Sequence, residues 1–489
     1  MLFNSFQYLW FFPLVVGIYF AVAPRYRWVL LLAASYYFYM SWRVEYILLI
    51  ITSTLVDYTA ARLMEARQHP AVRRGLLAAS LGINLGILFS FKYYDFVADS
   101  LQEAFAPWGL FRHLPELEVL LPVGISFYTF QSLAYTIEVY RGTRRAERHL
   151  GIFALYVAFF PQLVAGPIER ADRLLPQFHR VNTFQVDRMV RGLKRMGWGL
   201  VKKMVIADRL ALWVDPVYAN PQDYPGATLA MATVFFGFQI YCDFSGYSSI
   251  AIGSAQVMGY ELMENFRRPY FSRSLTEFWR RWHISLSTWF RDYLYISLGG
   301  SRVSHRRWMF NILVVFLLSG LWHGAAWTFV LWGGLHGALM VIGLESKEYR
   351  DKAARALGLA KSSVLRNGIR ILYTFVVVTL LWVFFRANTI GDAFYILSQL
   401  TSGWEVLARP EQRLELFYLG AHRVIPFWIA VGTIAGLIGV DFLLEREPDP
   451  KDLLSSRSVW FRRGFGYAMV LALVILGVFE RSEFIYFQF

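Results

Sequence analysis

Apolar runs about as long as a membrane-crossing helix recur from one end of this chain to the other. They fall near 8–22, 27–42, 45–63, 75–96, 118–139, 151–166, 228–257, 308–322, 326–344, 371–386, 425–444 and 465–480. A helix rises 1.5 Å per residue, and the hydrocarbon core of a bilayer is about 30 Å thick, so about 20 residues cross it. Composition agrees. Of 489 residues, 56% are hydrophobic and 17% charged, where soluble chains carry about 25% charged residues. Mean hydropathy is +0.39. The fold expected is all-α: a polytopic integral membrane protein with about 11–12 transmembrane helices. Several runs are short or interrupted by Gly, Pro or a polar residue. Broken helices at membrane depth need protein or water to cover the freed backbone, which adds re-entrant elements and points to a cavity.

The net charge of +14 belongs to short cytoplasmic loops rich in Arg and Lys. No aromatic-interleaved basic module supports nucleic-acid binding. The loops Glu65–Arg74, Arg141–His149, Ser346–Arg370 and Arg457–Arg463 are basic, whereas Asp99–Glu118 is acidic and apolar. Taking the basic loops as cytoplasmic puts the N-terminus outside. The first 24 residues hold no Lys or Arg, so the start reads as a retained span, since a secretory signal opens on positive charge. A single integral domain over residues 1–489 is expected. It divides into N-terminal spans (1–145), a core with re-entrant and amphipathic helices (146–345) and C-terminal spans (346–489), with flexible connections near Glu348–Ser363 and Glu445–Ser456. Lys202-Lys203, Asp208-Arg209 and Arg267-Arg268 read as amphipathic helices at the interface, their basic groups among the headgroups.

His323 is the residue that most needs a reason. It lies in Ser319-Gly320-Leu321-Trp322-His323-Gly324, inside apolar sequence. An ionisable group at membrane depth is costly and marks a path or a chemical site. As a neutral imidazole it can take a proton from an attacking hydroxyl, with Trp322 excluding water. The bland reading is a core histidine satisfied by a carbonyl. His283, in Trp279-Arg280-Arg281-Trp282-His283, is by itself an interfacial residue in an aromatic belt. If the two segments fold together it becomes a partner for His323. His336, 13 positions past His323, cannot reach the same spot on one straight helix and is read as structural.

Asp243 sits in Tyr241-Cys242-Asp243-Phe244-Ser245-Gly246-Tyr247. It either orients a His or Arg in a cavity or is buried in an ion pair with an Arg. Ser245 and Tyr247 join it as candidate lining residues. Cys242, the one cysteine, reads as packing rather than as an acyl carrier. Gln162 and Glu169 flank Gly166-Pro167 in what reads as a broken element, lining a tunnel or forming a tight turn. There is no HExxH, no Cys/His cluster with metal spacing, no P-loop and no GxGxxG.

FWRRWHISLSTWFRDYLYISLGG, LSGLWHGAAWTFVLWGGLHG, FQIYCDFSGYSSIAIG and FFPQLVAGPIER resemble the membrane-bound O-acyltransferase family, most closely its bacterial alginate O-acetyltransferase branch. GISFYTFQSLAYTIEVYRG, LVKKMVIADRL and the terminal FIYFQF extend the match over most of the chain. Glu138 and Ser297 depart from the Asp and Pro expected there. The resemblance implies tilted and broken helices around a tunnel, in a bacterial inner membrane. His323 would be the catalytic histidine and His283 the second. Trp322, Asp243, Ser245, Tyr247, Trp279, Arg280, Arg281, Gln162 and Glu169 would line the substrate path. It implies no tightly bound cofactor. Acetyl-CoA or another acyl thioester would be the cytoplasmic donor, and an extracytoplasmic transfer protein and a polysaccharide would be partners.

The leading expectation is therefore an O-acetyltransferase for an exported, alginate-like polysaccharide. A transporter using His323 and Asp243 as a proton relay is the alternative from another class. It does not require the paired histidine motifs, and it predicts internal symmetry that the sequence lacks. A membrane scaffold is the third, and it predicts that both histidines are dispensable.

Overall fold

Each apolar stretch carries a helix in the computed structural model, which describes every residue except 112, 113, 118, 165, 357–362, 410–423, 447–457, 480–483 and 488–489. All regular elements among the described residues are helical. Among the described residues, seven helices are long and apolar enough to cross a membrane: Ile47–Ala66, Pro70–Trp108, Gly226–Met258, Trp327–Glu345, Val364–Arg386, Phe427–Arg446 and Val459–Leu476. The other runs give shorter or more polar helices. Phe6–Ala21 has 16 residues, Arg27–Met40 has 14 and Ile125–Arg141 has 17. The run near 151–166 breaks after Ala158, ahead of Pro161, and His305–His323 begins with His305-Arg306-Arg307. Of the two expected flexible connections, residues 357–362 and 447–457 lie outside the described residues, and the stretch before the first is a helix, Lys347–Ala356.

The chain forms two compact units. One comprises Met1–Met196 and Tyr247–Glu264, the other Gly197–Gly246 and Asn265–Phe489. In the first, Ile47–Ala66, Pro70–Leu88 and Ile125–Arg141 pack around a polar seam. Ser80 and Asn84 donate to Asp57 Oδ1 at 2.5 and 2.9 Å, and Ser53 donates to Asn84 at 2.5 Å. With no water at this depth, side chains must satisfy one another, and such bonds hold spanning helices together.

The second unit is built on a hairpin of two helices, His305–His323 and Trp327–Glu345. Glycine sets their separation. A Cβ on Gly320 would sit 2.2 Å from the Phe329 carbonyl oxygen, and one on Gly333 would sit 2.3 Å from that of Phe316. Only bare backbone fits at this crossing, as where small residues let membrane helices approach closely. The crossing fixes His323, the last residue of the first helix, beside Trp332 on the second.

Gly320→Ala should therefore lower stability by about 1–3 kcal/mol through overpacking. Gly343→Ala is the control, because the nearest atom to a Cβ there is Arg350 Nη1 at 3.9 Å. Thermal unfolding of the detergent-solubilised protein should show a lower Tm for the first variant alone.

Candidate active site

The segment that presents His283 is built by local rules. Ser274 caps the helix Leu275–Arg281 by accepting the Glu277 N–H, while Glu277 accepts the Arg273 N–H at 2.8 Å. The sequence Ser274-Leu275-Thr276-Glu277 is a close variant of the capping box. This helix stops at Trp282, and another, Ile284–Trp289, starts at once. His283 forms the joint with φ 41° and ψ 55°, left-handed for a residue that is not glycine. That conformation costs about 1–2 kcal/mol and persists only where its surroundings hold it. Here Asn265 holds it. Its carbonyl accepts the Ile284 N–H at 2.9 Å, and its side-chain oxygen accepts from Ser285 N–H and Oγ at 3.2 and 2.9 Å. Arg267 N–H also donates to Arg281 O at 2.9 Å.

The joint turns His283 toward His323, their ring centroids 6.1 Å apart. His283 is 0% exposed and His323 2%. Aromatic rings enclose both. Around His323 stand Trp322, Trp332, Phe385 and Tyr486, with ring centroids 5.0, 5.1, 5.5 and 5.5 Å away. Phe244 stands 4.6 Å from His283, and Trp322 5.7 Å. Burial pulls His283 down to about 3, so its imidazole is neutral at physiological pH. A neutral imidazole in a dry aromatic enclosure can accept or deliver a proton, and its neighbour can hydrogen-bond a small polar group between them.

The other candidate residues divide. Trp322 borders both imidazoles. Trp279 stands one layer behind. Its indole N–H donates to His336 Nδ1 at 3.3 Å, and the His336 ring packs on Trp332 at 4.9 Å. The helix breaks between His323 and Trp327, so His336 does not share one straight helix with His323, and its ring backs the enclosure through Trp332. Arg281 pairs with Glu277 and Glu445, and Arg280 is exposed. Asp243 faces neither a histidine nor an arginine. It pairs with Lys203 at 2.7 Å, as Asp208 does at 2.7 Å, and Ser245 O accepts from Lys202 at 2.8 Å. Lys202, Lys203 and Asp208 are thus buried, not interfacial as their sequence suggested. Opposite charges within hydrogen-bond reach offset one another's desolvation.

Tyr247, Gln162 and Glu169 belong to the first unit. Tyr247 donates to Asn4 at 3.3 Å. Gln162 Nε2 donates to Tyr156 O at 2.7 Å, Met263 N–H donates to Glu169 Oε1, and Tyr156 OH donates to Glu169 O at 3.1 Å. These bonds tie the broken element together within the first unit.

Sequence reasoning did not single out Tyr486. Its ring lies 5.5 Å from His323, 6.4 Å from His283 and 4.5 Å from Phe244. Its hydroxyl is buried with no hydrogen-bond partner among the described residues. The available signal was a polar atom in the apolar terminal run Phe484-Ile485-Tyr486-Phe487.

The profile of MBOAT, the membrane-bound O-acyltransferase family, matches residues 149–386, which include both histidines. The probable alginate O-acetylase AlgI of Pseudomonas putida is 39% identical over 506 aligned positions, covering 100% of each chain. The peptidoglycan O-acetyltransferase of Helicobacter pylori is 34% identical over 71% of this chain and 68% of its own. The teichoic acid D-alanyltransferase of Bacillus subtilis is 28% identical over 47% of this chain and 60% of its own.

Replacing His283 separates imidazole from backbone. His283→Asn should keep the joint, because Asn tolerates the left-handed region, whereas His283→Val should cost about 1–2 kcal/mol. Titration adds a second signature. His283 binds its proton more weakly folded than unfolded, so the unfolded chain carries the extra proton between the two pKa values, and stability falls as pH falls. Between pH 7 and pH 5 this one group removes about 2 kcal/mol. Chemical unfolding at the two pH values should show that loss, and His283→Asn should abolish this share of it.

Proposed function

The chain belongs to the membrane-bound O-acyltransferase family, and from that premise we propose that this multi-pass membrane O-acyltransferase acetylates an exported, alginate-like polysaccharide. The observation that carries the reading is the pair of buried imidazoles 6.1 Å apart inside an aromatic wall. The full-length likeness to an alginate O-acetylase favours that class of polymer over a teichoic acid.

His323 acts as the general base. It takes the proton of the acceptor hydroxyl as that oxygen attacks the carbonyl carbon of a cytoplasmic acyl thioester. The C–S bond breaks, the thiolate leaves and collects a proton, and an ester remains on the acceptor. Neutral His283 donates a hydrogen bond to the carbonyl oxygen as its charge grows, an interaction strengthened where water is excluded. The aromatic wall keeps water from hydrolysing the thioester. A tunnel through the protein brings a soluble donor and an extracytoplasmic acceptor together, so the charged donor does not cross lipid. The protein sits in a bacterial inner membrane with its N-terminus outside, and a partner protein receives the acetyl group or completes its delivery.

Tyr486 favours a two-step variant of the same reaction. Its ring stands beside both imidazoles, and its hydroxyl is buried with no hydrogen-bond partner among the described residues. That oxygen attacks the thioester carbonyl first and gives its proton to His323 as the C–S bond breaks and the thiolate leaves. The aryl ester then passes the group to the final acceptor and recovers its proton.

His323→Ala should reduce transfer from radiolabelled acetyl-CoA by about a hundredfold or more, with the protein still folded. Normal polymer acetylation in that variant would remove the central assignment. Tyr486→Phe keeps the ring and removes only the hydroxyl. Loss of multiple turnover with donor affinity retained supports the two-step route, and wild-type turnover returns the reaction to direct transfer.

A further inference from the structure

Among the buried charges of the second unit, three form a cluster that takes no part in the proposed chemistry. Lys203 is 1% exposed, Asp208 2% and Asp243 3%. Lys203 Nζ lies 2.7 Å from a carboxylate oxygen of each aspartate. Buried ion pairs are poor sources of stability, because desolvating the charges offsets their attraction, and apolar replacements often serve as well. In some proteins, charges kept in such a place fix a geometry.

That geometry involves the end of the chain. The second oxygen of Asp243 accepts the Ile485 N–H at 2.7 Å, although the two residues are 242 positions apart. The neighbouring residue is Tyr486. Two more bonds tie the preceding stretch to the same region. Val478 N–H donates to Met204 O at 3.0 Å, and Arg209 donates to Leu476 O at 2.5 Å. Val201 and Val205 pack on Met469, with Leu473 and Leu476 alongside. The helix Val459–Leu476 is thus laid against Val201–Ala207, a π-helical turn, and the chain is caught again at Asp243 just before it enters the histidine enclosure. π-Turns of this kind often mark functional positions.

We propose that the Lys203–Asp208–Asp243 cluster is the positioning device that holds the C-terminal segment, and with it Tyr486, against the two histidines. Lys203 fixes the rotamer of Asp243 from one side, and Asp208 holds the Lys203 ammonium in place from the other. Asp243 then presents its free oxygen to a single backbone N–H. Register follows, because the next side chain along the segment is Tyr486. Asp243, Lys203 and Asp208 are positioning residues, acting through Tyr486. The proposal rests on the reading of the histidine enclosure as the reaction site, but its first test does not require turnover.

Cys242 is the one cysteine and is fully buried. In a Cys242→Ser background, Ile485→Cys places a single thiol on the segment while keeping the backbone N–H. Maleimide labelling there should be slow. Adding Asp243→Ala should speed it by about tenfold or more, through local release of the segment. Adding Asp243→Asn, which keeps an acceptor oxygen but not the charge, should give an intermediate rate. Unchanged labelling with Asp243→Ala overturns the proposal, whether or not the protein transfers acetyl groups.

Turnover of acetyl-CoA supplies the second readout. A misplaced reacting group costs about a hundredfold, so Asp243→Ala should lower kcat by that order with KM for acetyl-CoA little changed. If Asp243→Ala fails to fold, Ile485→Pro removes the same N–H while leaving all three charges in place, and Ile485→Val is its control. Loss of kcat in the proline variant alone supports the device, and equal activity of the two overturns it. If the wild type shows no turnover but labelling responds as described, the positioning role stands and the acyl-transfer reading falls.

Discussion

Burying charge away from water is the constraint to which the rest of this structure answers. A bilayer offers no water to a polar group, so each one at that depth needs a partner from the protein. Asp57 finds Ser80 and Asn84 on the neighbouring helix of the first unit. Glu169 finds the Met263 N–H. Lys203 takes Asp208 and Asp243. In each case the partner lies on another segment, so meeting the polar demand also fixes how segments are arranged.

The histidine site shows the same demand met differently. Its walls are aromatic rather than ionic, and burial among them keeps the His283 imidazole neutral. Two backbone features aim them. A glycine crossing that admits no Cβ sets His323 at the end of its helix. A left-handed joint, held by Asn265, swings His283 inward between two short helices. Strain at such a joint is stored where orientation matters, and the hydrogen bonds around it offset the cost. The enclosure is closed by the C-terminal segment, whose position depends on the charge cluster. Membrane physics thus connects to chemistry through one backbone N–H.

The apolar runs were legible because their length is set by bilayer thickness alone, and each carries a helix. His323 was legible because an ionisable residue stands out in apolar sequence, whereas His283, by itself an interfacial residue, was legible only through the resemblance of its motif to the acyltransferases. Gln162 and Glu169 were seen as part of a broken element, but nothing along the chain pointed to the Tyr156 and Met263 backbone groups that they bond. Lys202 and Lys203 were misread as interfacial. An adjacent pair of lysines gives no sign of aspartates that will surround it, and Asp243 gives no sign of Lys203 or of Ile485. Tyr486 was passed over because an apolar terminal run looks the same whether it meets lipid or fills a site.

By itself, the sequence determined that this chain is a helical membrane protein with two histidines that invite chemistry, since hydrophobic length and the rarity of buried ionisable groups are local properties readable along the chain. Only the tertiary structure decided that those histidines share one aromatic enclosure, that Asp243 accepts the Ile485 N–H and faces no histidine, and that Tyr486 stands beside both imidazoles. Those facts depend on distances between residues far apart in sequence, and glycine crossings, a strained joint and paired charges set such distances only once the helices have packed.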